Sequence, residues 1–213
     1  MRKANNLKAL GDIAEVRTGF TFREKIEELS TGGNAHVAQI KDVRGTLEAI
    51  NTTALRAHQL PKIEWQGKDK AFVGPGAVLL PSRGAKGGYF RASYLMADPK
   101  PELPVVVTSQ FLVIIPKPGV LPEFICWSLN RPEMQHMLSE GAGSQGTSLV
   151  MLSTKMAKAI ELAVPDITIQ QKIVHLNELW EKEQQLTQTL LKNRETMLQG
   201  MFQHLIMETA HER

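Results

Sequence analysis

The sequence predicts an α+β protein: one globular domain with a β-rich core over residues 1–166, a long coiled-coil-forming helix over 167–207, and a short tail, 208–213. Three observations carry this. Apolar runs rich in β-branched residues, set between glycine and proline turns, occupy residues 1–116. From "LPEFICWSLNRPEMQHML" onward the apolar spacing becomes helical. After Pro165 no proline occurs, and good helix formers dominate to about Met207.

The elements follow in order. "LKALGDIAEVRTG" reads as a short helix entered at Gly11-Asp12 and closed near Gly19, with Asp12 complementing its positive end. "NAHVAQIKDV" predicts a strand across Val37–Ile40. Gly74-Pro75-Gly76 forces a turn into an apolar strand, Ala77–Pro81. "SRGAKGG" is a glycine-rich connection into a second strand, Tyr89–Tyr94. "VVVTSQFLVIIP" predicts a buried strand with a polar interruption at Thr108-Ser109-Gln110. Pro122-Glu123 opens one helix, and Arg131-Pro132-Glu133 precedes a second. "LSTKMAKAIELAVP" gives a helical turn or two and a closing strand.

Pro165 ends that strand, and Asp166 or Thr168 can cap the long helix, with Gln170 and Gln171 inside its first turn. About 38 residues at 1.5 Å each would span about 57 Å, too long to lie wholly on a domain of this size. Leu176, Leu179, Leu186, Leu190, Met197 and Met201 follow a 3-4 spacing, with Glu183 and Asn193 in seam positions between them. Such a stripe suits a second helix, and the polar seam residues suit a fixed register rather than an open-ended zipper. A helix folded back on its own domain is the alternative.

Composition narrows the function classes. The chain is 42% hydrophobic and 22% charged, which fits a soluble globular protein. The N-terminus has no apolar core of signal-peptide length, and no run approaches the roughly 18 apolar residues of a membrane span. The single cysteine, Cys126, reads as a buried inert thiol, and a reducing cytoplasm fits. Six histidines show no metal-ligand spacing, so neither metal nor cofactor is expected. "GAGSQG" (141–146) matches G-x-G-x-x-G, but it follows a helix rather than a strand. An interhelical loop is one reading, and a loop whose amides touch phosphate is the other. No nucleophile elbow, Walker lysine, methyltransferase signature or nuclease carboxylate set occurs, so the chain is not expected to be an enzyme.

The net charge is +3, unevenly placed. Residues 170–213 hold five basic and six acidic side chains, whereas 62–91 holds six basic against two acidic. A basic mid-domain suits an anionic partner such as nucleic acid, and suits a solvated face equally well.

Taken together, "LGDIAEVRTG", "VGPGAVLLPSRGAKGG", "LPEFICWSLN" and "GAGSQGTSLVMLSTKMAKAIELAVPDITIQQKIVHLNEL" resemble, in order and spacing, one half of the specificity subunit of type I restriction–modification systems. The resemblance implies a non-catalytic, double-stranded-DNA-reading target-recognition domain over 1–166. It also implies a conserved-region helix over 167–207 that packs on a second such helix and docks the methyltransferase (modification) subunit, with a restriction subunit as a further partner. A full specificity subunit carries two such units in tandem; one unit here implies a homodimer with antiparallel helices reading an inverted bipartite site. The candidate DNA contacts are Arg83 and Lys86 on the glycine-rich hairpin tip, Arg91 on the next strand, Lys41 and Arg44 capping another strand, and Gly143, Ser144 and Gln145. Two other classes stay open: a free-standing DNA-binding regulator or defence component, and an interaction protein that binds no DNA.

Overall fold

The structure, a computed structural model, describes residues 6–50, 52–85, 90–97, 103–140 and 149–211. Strand β1 (Leu7–Ala9) leads into a single helical turn, α1 (Leu10–Ile13), and strand β2 (Ala14–Thr18). Strand β3 (Ala35–Ala38), helix α2 (Ile40–Ile50) and the short strands β4 (Ala54–Leu55), β5 (Lys62–Ile63) and β6 (Phe72–Val73) follow. Next come β7 (Val78–Pro81), β8 (Arg83–Ala85), β9 (Ser93–Leu95), β10 (Val105–Val107) and β11 (Phe111–Pro116). Helices α3 (Pro122–Asn130) and α4 (Pro132–Glu140) precede β12 (Leu149–Met151), α5 (Thr154–Lys158), β13 (Glu161–Ala163) and α6 (Ile167–His211). The chain divides into two compact units, residues 1–175 and 176–213.

The first unit is built in layers. A five-stranded sheet in the order β2-β11-β7-β9-β4 is antiparallel except where β4 meets β9. Successive side chains alternate faces, as the pleat requires. Val78, Leu80, Leu112 and Ile114 join Leu10, Phe124, Ile125, Leu129 and Ala157 from α1, α3 and α5 in one core. Leu79, Phe111, Val113 and Leu95 face the other way, onto Ala38, Val73, Val105 and Val107 of a second sheet ordered β5-β3-β10-β6. The far side of that sheet, Ala35, Val37, Ile63 and Val106, is covered by Trp65, Phe22, Ile26 and Phe72. The inner strands β3, β7 and β10 and the first four residues of β11 are thus buried on both faces, which is why they read as continuous apolar runs.

The run 105–116 is not one interrupted strand. It forms β10 in one sheet and β11 in the next, and Thr108-Ser109-Gln110 is the crossing. Several of its polar groups find partners there. The Thr108 amide and hydroxyl both donate to Ala38 O (3.1 and 3.0 Å), and the Ser109 amide donates to Phe20 O (2.8 Å). Gly19 passes so close that a Cβ on it would lie 2.2 Å from Thr108 O.

Three other boundaries differ from the sequence reading. The expected helix over 11–19 is one turn, because "AEVRT" alternates buried Ala14 and Val16 with exposed Glu15 and half-buried Arg17, which donates to Phe72 O (3.3 Å), and pairs with β11. The strand expected over 37–40 is Ala35–Ala38, and Lys41 and Arg44 therefore lie in α2 rather than capping a strand. Of the strand expected over 89–94, Tyr89 lies outside the described residues and residues 90–92 precede the strand, which is Ser93–Leu95, while Arg83 belongs to a strand and not to a hairpin tip. The turn at Gly74-Pro75-Gly76 forms, with Gly76 at φ +83°.

Asp166 caps α6 by accepting from the Thr168 and Ile169 amides (3.0 and 3.1 Å). Gln170, 1% exposed, then ties the first turn inward. Its Oε1 accepts from the Leu121 amide (3.0 Å), and its Nε2 donates to Gly119 O and Pro165 O (3.1 and 2.9 Å). Cys126 is buried, as its apolar setting suggested, forms no disulfide, and donates through Sγ to Ala92 O (3.4 Å).

In the first turn of α2, burial pushes the Asp42 carboxyl above its ordinary range, against the pull of Lys41 and with a push from Glu28. Its Oδ2 is buried without a hydrogen-bond partner. Because the native state holds this proton more tightly than the unfolded chain, ionised Asp42 opposes folding above its native pKa, and the penalty disappears below the unfolded value. Asp42→Asn is therefore expected to melt above the parent at neutral pH, with the gap closing as the pH falls below the ordinary carboxylate range. Paired thermal melts across that range measure it. Gly19→Ala is expected to lower the unfolding free energy by about 3 kcal/mol, because neither backbone at the crossing can yield. Urea titration reads that loss directly.

Candidate nucleic-acid interface

Strands β8 and β12 form a two-stranded antiparallel ribbon, with Ala85 opposite Leu149, Gly84 opposite Val150 and Arg83 opposite Met151. Arg83 and Met151 are both exposed. Beneath them the ribbon lies on Phe90, and a Cβ on Gly84 would fall 2.7 Å from that ring. Glycine is thus required for the ribbon to approach the core this closely. Val150 and Leu152 are buried in the same core as Phe90.

The return segment, 90–92, is held by side-chain amides rather than by a strand. Gln135 Oε1 accepts from the Phe90 amide (2.7 Å), and Gln135 Nε2 donates to Phe90 O and Leu129 O (3.1 and 2.7 Å). Asn130 repeats the pattern two residues on. Its Oδ1 accepts from the Ala92 amide (2.8 Å), and its Nδ2 donates to Ala92 O (2.9 Å). Two carboxamides thereby satisfy alternate backbone units as a neighbouring strand would, and they lock the segment to α3 and α4.

Gln110 connects the ribbon to α2. Its carbonyl accepts from the Ser82 amide (2.8 Å), and its Oε1 accepts from the Ile40 amide (2.9 Å). Ser82 Oγ also donates to Ser109 O (3.1 Å), and the Leu152 amide donates to Ser82 O (2.9 Å). Arg83 and Lys41 each follow directly on a residue held by Gln110, so the structure brings these two candidates to one junction. The apolar-run interruption was visible in the sequence; that it ties together two basic segments was not. The bracing roles of Asn130 and Gln135 went unrecognised too, since a polar residue on a half-buried helix reads as solvent-facing.

The remaining candidates divide. Lys41 is paired with Glu28 and lies 3.9 Å from Asp42. That bond holds the Glu28 carboxyl below its usual range and the Lys41 ammonium above its own. Arg44 is exposed on α2. Arg91 is half-buried and donates through Nη2 to Thr52 O (3.5 Å), beside β4. Lys86, Gly143, Ser144 and Gln145 lie outside the described residues. The described residues nearest them, Ala85 and Leu149, are cross-strand partners, so the backbone leaves for 86 and arrives from 148 at the same end of the ribbon.

A second candidate surface lies on α6, where Leu176, Leu179, Leu186, Leu190, Met197 and Met201 are all exposed. Among the described residues no group of His, Cys, Asp or Glu side chains is placed to hold a metal ion, and no helix is long and apolar enough to cross a membrane.

Comparison with known proteins bears on this arrangement. Residues 3–193 match the family model of the type I restriction modification DNA specificity domain. No curated protein matches the chain. Among solved structures, a chain of a type I R-M system studied for complex assembly and conformational transition superposes with a TM-score of 0.57 at 13% identity, over 86% of this chain and 40% of that one. The HsdS subunit from Thermoanaerobacter tengcongensis gives 0.55 at 13% identity, over 88% of this chain and 40% of the subunit. At that identity the likeness is one of fold, and this chain spans about two fifths of either relative. The layered domain, its ribbon and the helix that closes it belong to the type I restriction modification DNA specificity domain family.

Proposed function

We propose that this chain reads DNA sequence for a type I restriction–modification complex, as a half-size specificity subunit that acts as a homodimer. The observation that carries the reading is the braced β8/β12 ribbon: an exposed Arg83 on a rigid support, at the start of a strand leading toward Lys86 and paired with one arriving from 141–148. Sequence readout requires donors held at fixed positions against base edges, while surrounding cations hold phosphate. Arg83 meets the first requirement, and Lys86, Arg44 and Lys41 supply the second, with Lys41 drawing on its Glu28 partner only until a phosphate competes for it. Arg91 acts through the segment it ties down.

In this reading the chain has no catalytic step and no cofactor of its own. It directs a modification subunit, and a restriction subunit where one joins, to a site composed of two half-sites. The exposed apolar seam of α6 is the surface for a second copy and for docking the modification subunit, and the globular unit reads one half-site.

Arg83→Ala is expected to weaken binding to the target duplex by about 1–3 kcal/mol, the range for loss of one bidentate arginine–guanine contact, while non-specific binding falls far less. Titration of target and scrambled duplexes at one fixed salt concentration separates the two; equal losses on both would make Arg83 a phosphate contact. Methylation mapped genome-wide, in cells with and without this chain and with the modification subunit present throughout, is expected to lose one inverted bipartite motif with the chain. A lost motif with unlike halves would require a second, different recognition domain. Unchanged methylation would overturn the specificity reading.

A further inference from the structure

The apolar seam of α6 holds two polar residues, and their placement specifies how a second copy packs. Between Leu176 and Gly200 the 3-4 spacing runs unbroken, and two of its positions are Glu183 and Asn193, both exposed. Each lies five residues from position 188, one on either side. We infer that α6 pairs with α6 of a second copy in an antiparallel arrangement centred on residue 188, in which Glu183 of each chain faces Asn193 of the other. The inference rests on the homodimer reading above and adds its register.

Centring on 188 gives every other residue of this unbroken run a suitable neighbour, while Met201, one position beyond Gly200, falls on the flank of the seam. Leu186 meets Leu190, Leu179 meets Met197, and Leu176 meets Gly200. Gly200 has nothing within 4 Å of where a Cβ would stand, so its position offers room for a leucine from outside. The Glu183 carboxylate accepts from the Asn193 carboxamide, and two-fold symmetry makes the bond twice. On the flank of the same layers Trp180, also exposed, comes opposite Arg194, a cation–π pairing.

The competing arrangements each carry a cost. A parallel dimer sets Glu183 against Glu183, placing two like charges in an apolar seam, and sets Gly200 against Gly200, which leaves a hole. Sliding the antiparallel pair one heptad toward the C-terminus puts Glu183 against Gly200 and Asn193 against Leu190. Sliding it the other way puts Glu183 against Leu186 and Asn193 against Leu176. Both slides leave the polar groups without partners in a seam closed to water. Polar residues at seam positions fix register and orientation by penalising the alternatives in this way.

Cysteine cross-linking of the full chain tests the register. The one native cysteine, Cys126, is buried, so the parent chain serves as the uncross-linked control. Within one helix residues 183 and 193 are about 15 Å apart, beyond the reach of a disulfide. The double variant Glu183→Cys/Asn193→Cys is expected to convert to a covalent dimer under mild oxidation, and each single variant is expected to remain uncross-linked. Efficient cross-linking of Glu183→Cys alone would establish a parallel pair and overturn the inference. A double variant that is dimeric by light scattering yet fails to cross-link would overturn the register while leaving the homodimer reading intact. A parent chain that is monomeric both alone and with the modification subunit would overturn both.

Discussion

The crossing at Thr108-Ser109-Gln110 is the constraint on which the first unit depends. Here one stretch of chain leaves the four-stranded sheet and enters the five-stranded one, so its backbone groups have no continuous ladder on either side. Unpaired backbone groups at such depth would be costly. They are met instead by Ala38, by Phe20 just beyond β2, and by Ser82 just beyond β7. The approach of Gly19 leaves no space for any side chain. Because Gln110 also holds the first residue of α2, the same tripeptide fixes the stacking of the sheets and the departure points of two basic segments.

Carboxamides recur at several places where this fold holds irregular backbone. Gln135 and Asn130 hold 90–92, and Gln170 holds the loop at Gly119–Leu121 together with Pro165. A carboxamide suits this task because it offers an acceptor and two donors without charge, so its burial carries no ionisation penalty. Gln170 is the case with the widest reach. It is the residue at which the layered domain grips the first turn of α6, before the helix continues into the second unit.

The architecture was largely legible in the sequence, and its misread parts share one physical cause. Helices α3 and α4, the turn at Gly74–Gly76 and the capped start of α6 follow from local signals: prolines at first-turn positions, glycines where φ is positive, and Asp166 before a helical run. What failed was whatever depended on a partner distant in sequence. "AEVRT" becomes a strand because β11 is beside it, and Val105–Pro116 divides because two sheets compete for it. In the interface the signal was weaker still. Arg83 stood out for its charge and its glycine neighbours, but its place in a ribbon depends on β12, some 65 residues away. Gln110, Asn130 and Gln135 gave no sign of their roles, because an amide's partners here are backbone atoms and carry no sequence identity. The apolar stripe along α6 needs no distant partner to be read as a pattern, and all six of its residues are exposed in the structure.

The way 90–92 is held has an evolutionary consequence. Gln135 and Asn130 grip only main-chain atoms of Phe90 and Ala92, and β8 pairs with β12 through main chain alone. Support of this kind is indifferent to the outward-facing side chains it carries. Exposed positions such as Arg83 and Met151 can therefore change without loosening the mount beneath them. A lineage under pressure to alter what it recognises could replace its outer residues repeatedly while the fold stays constant, much as type is reset in an unchanged frame.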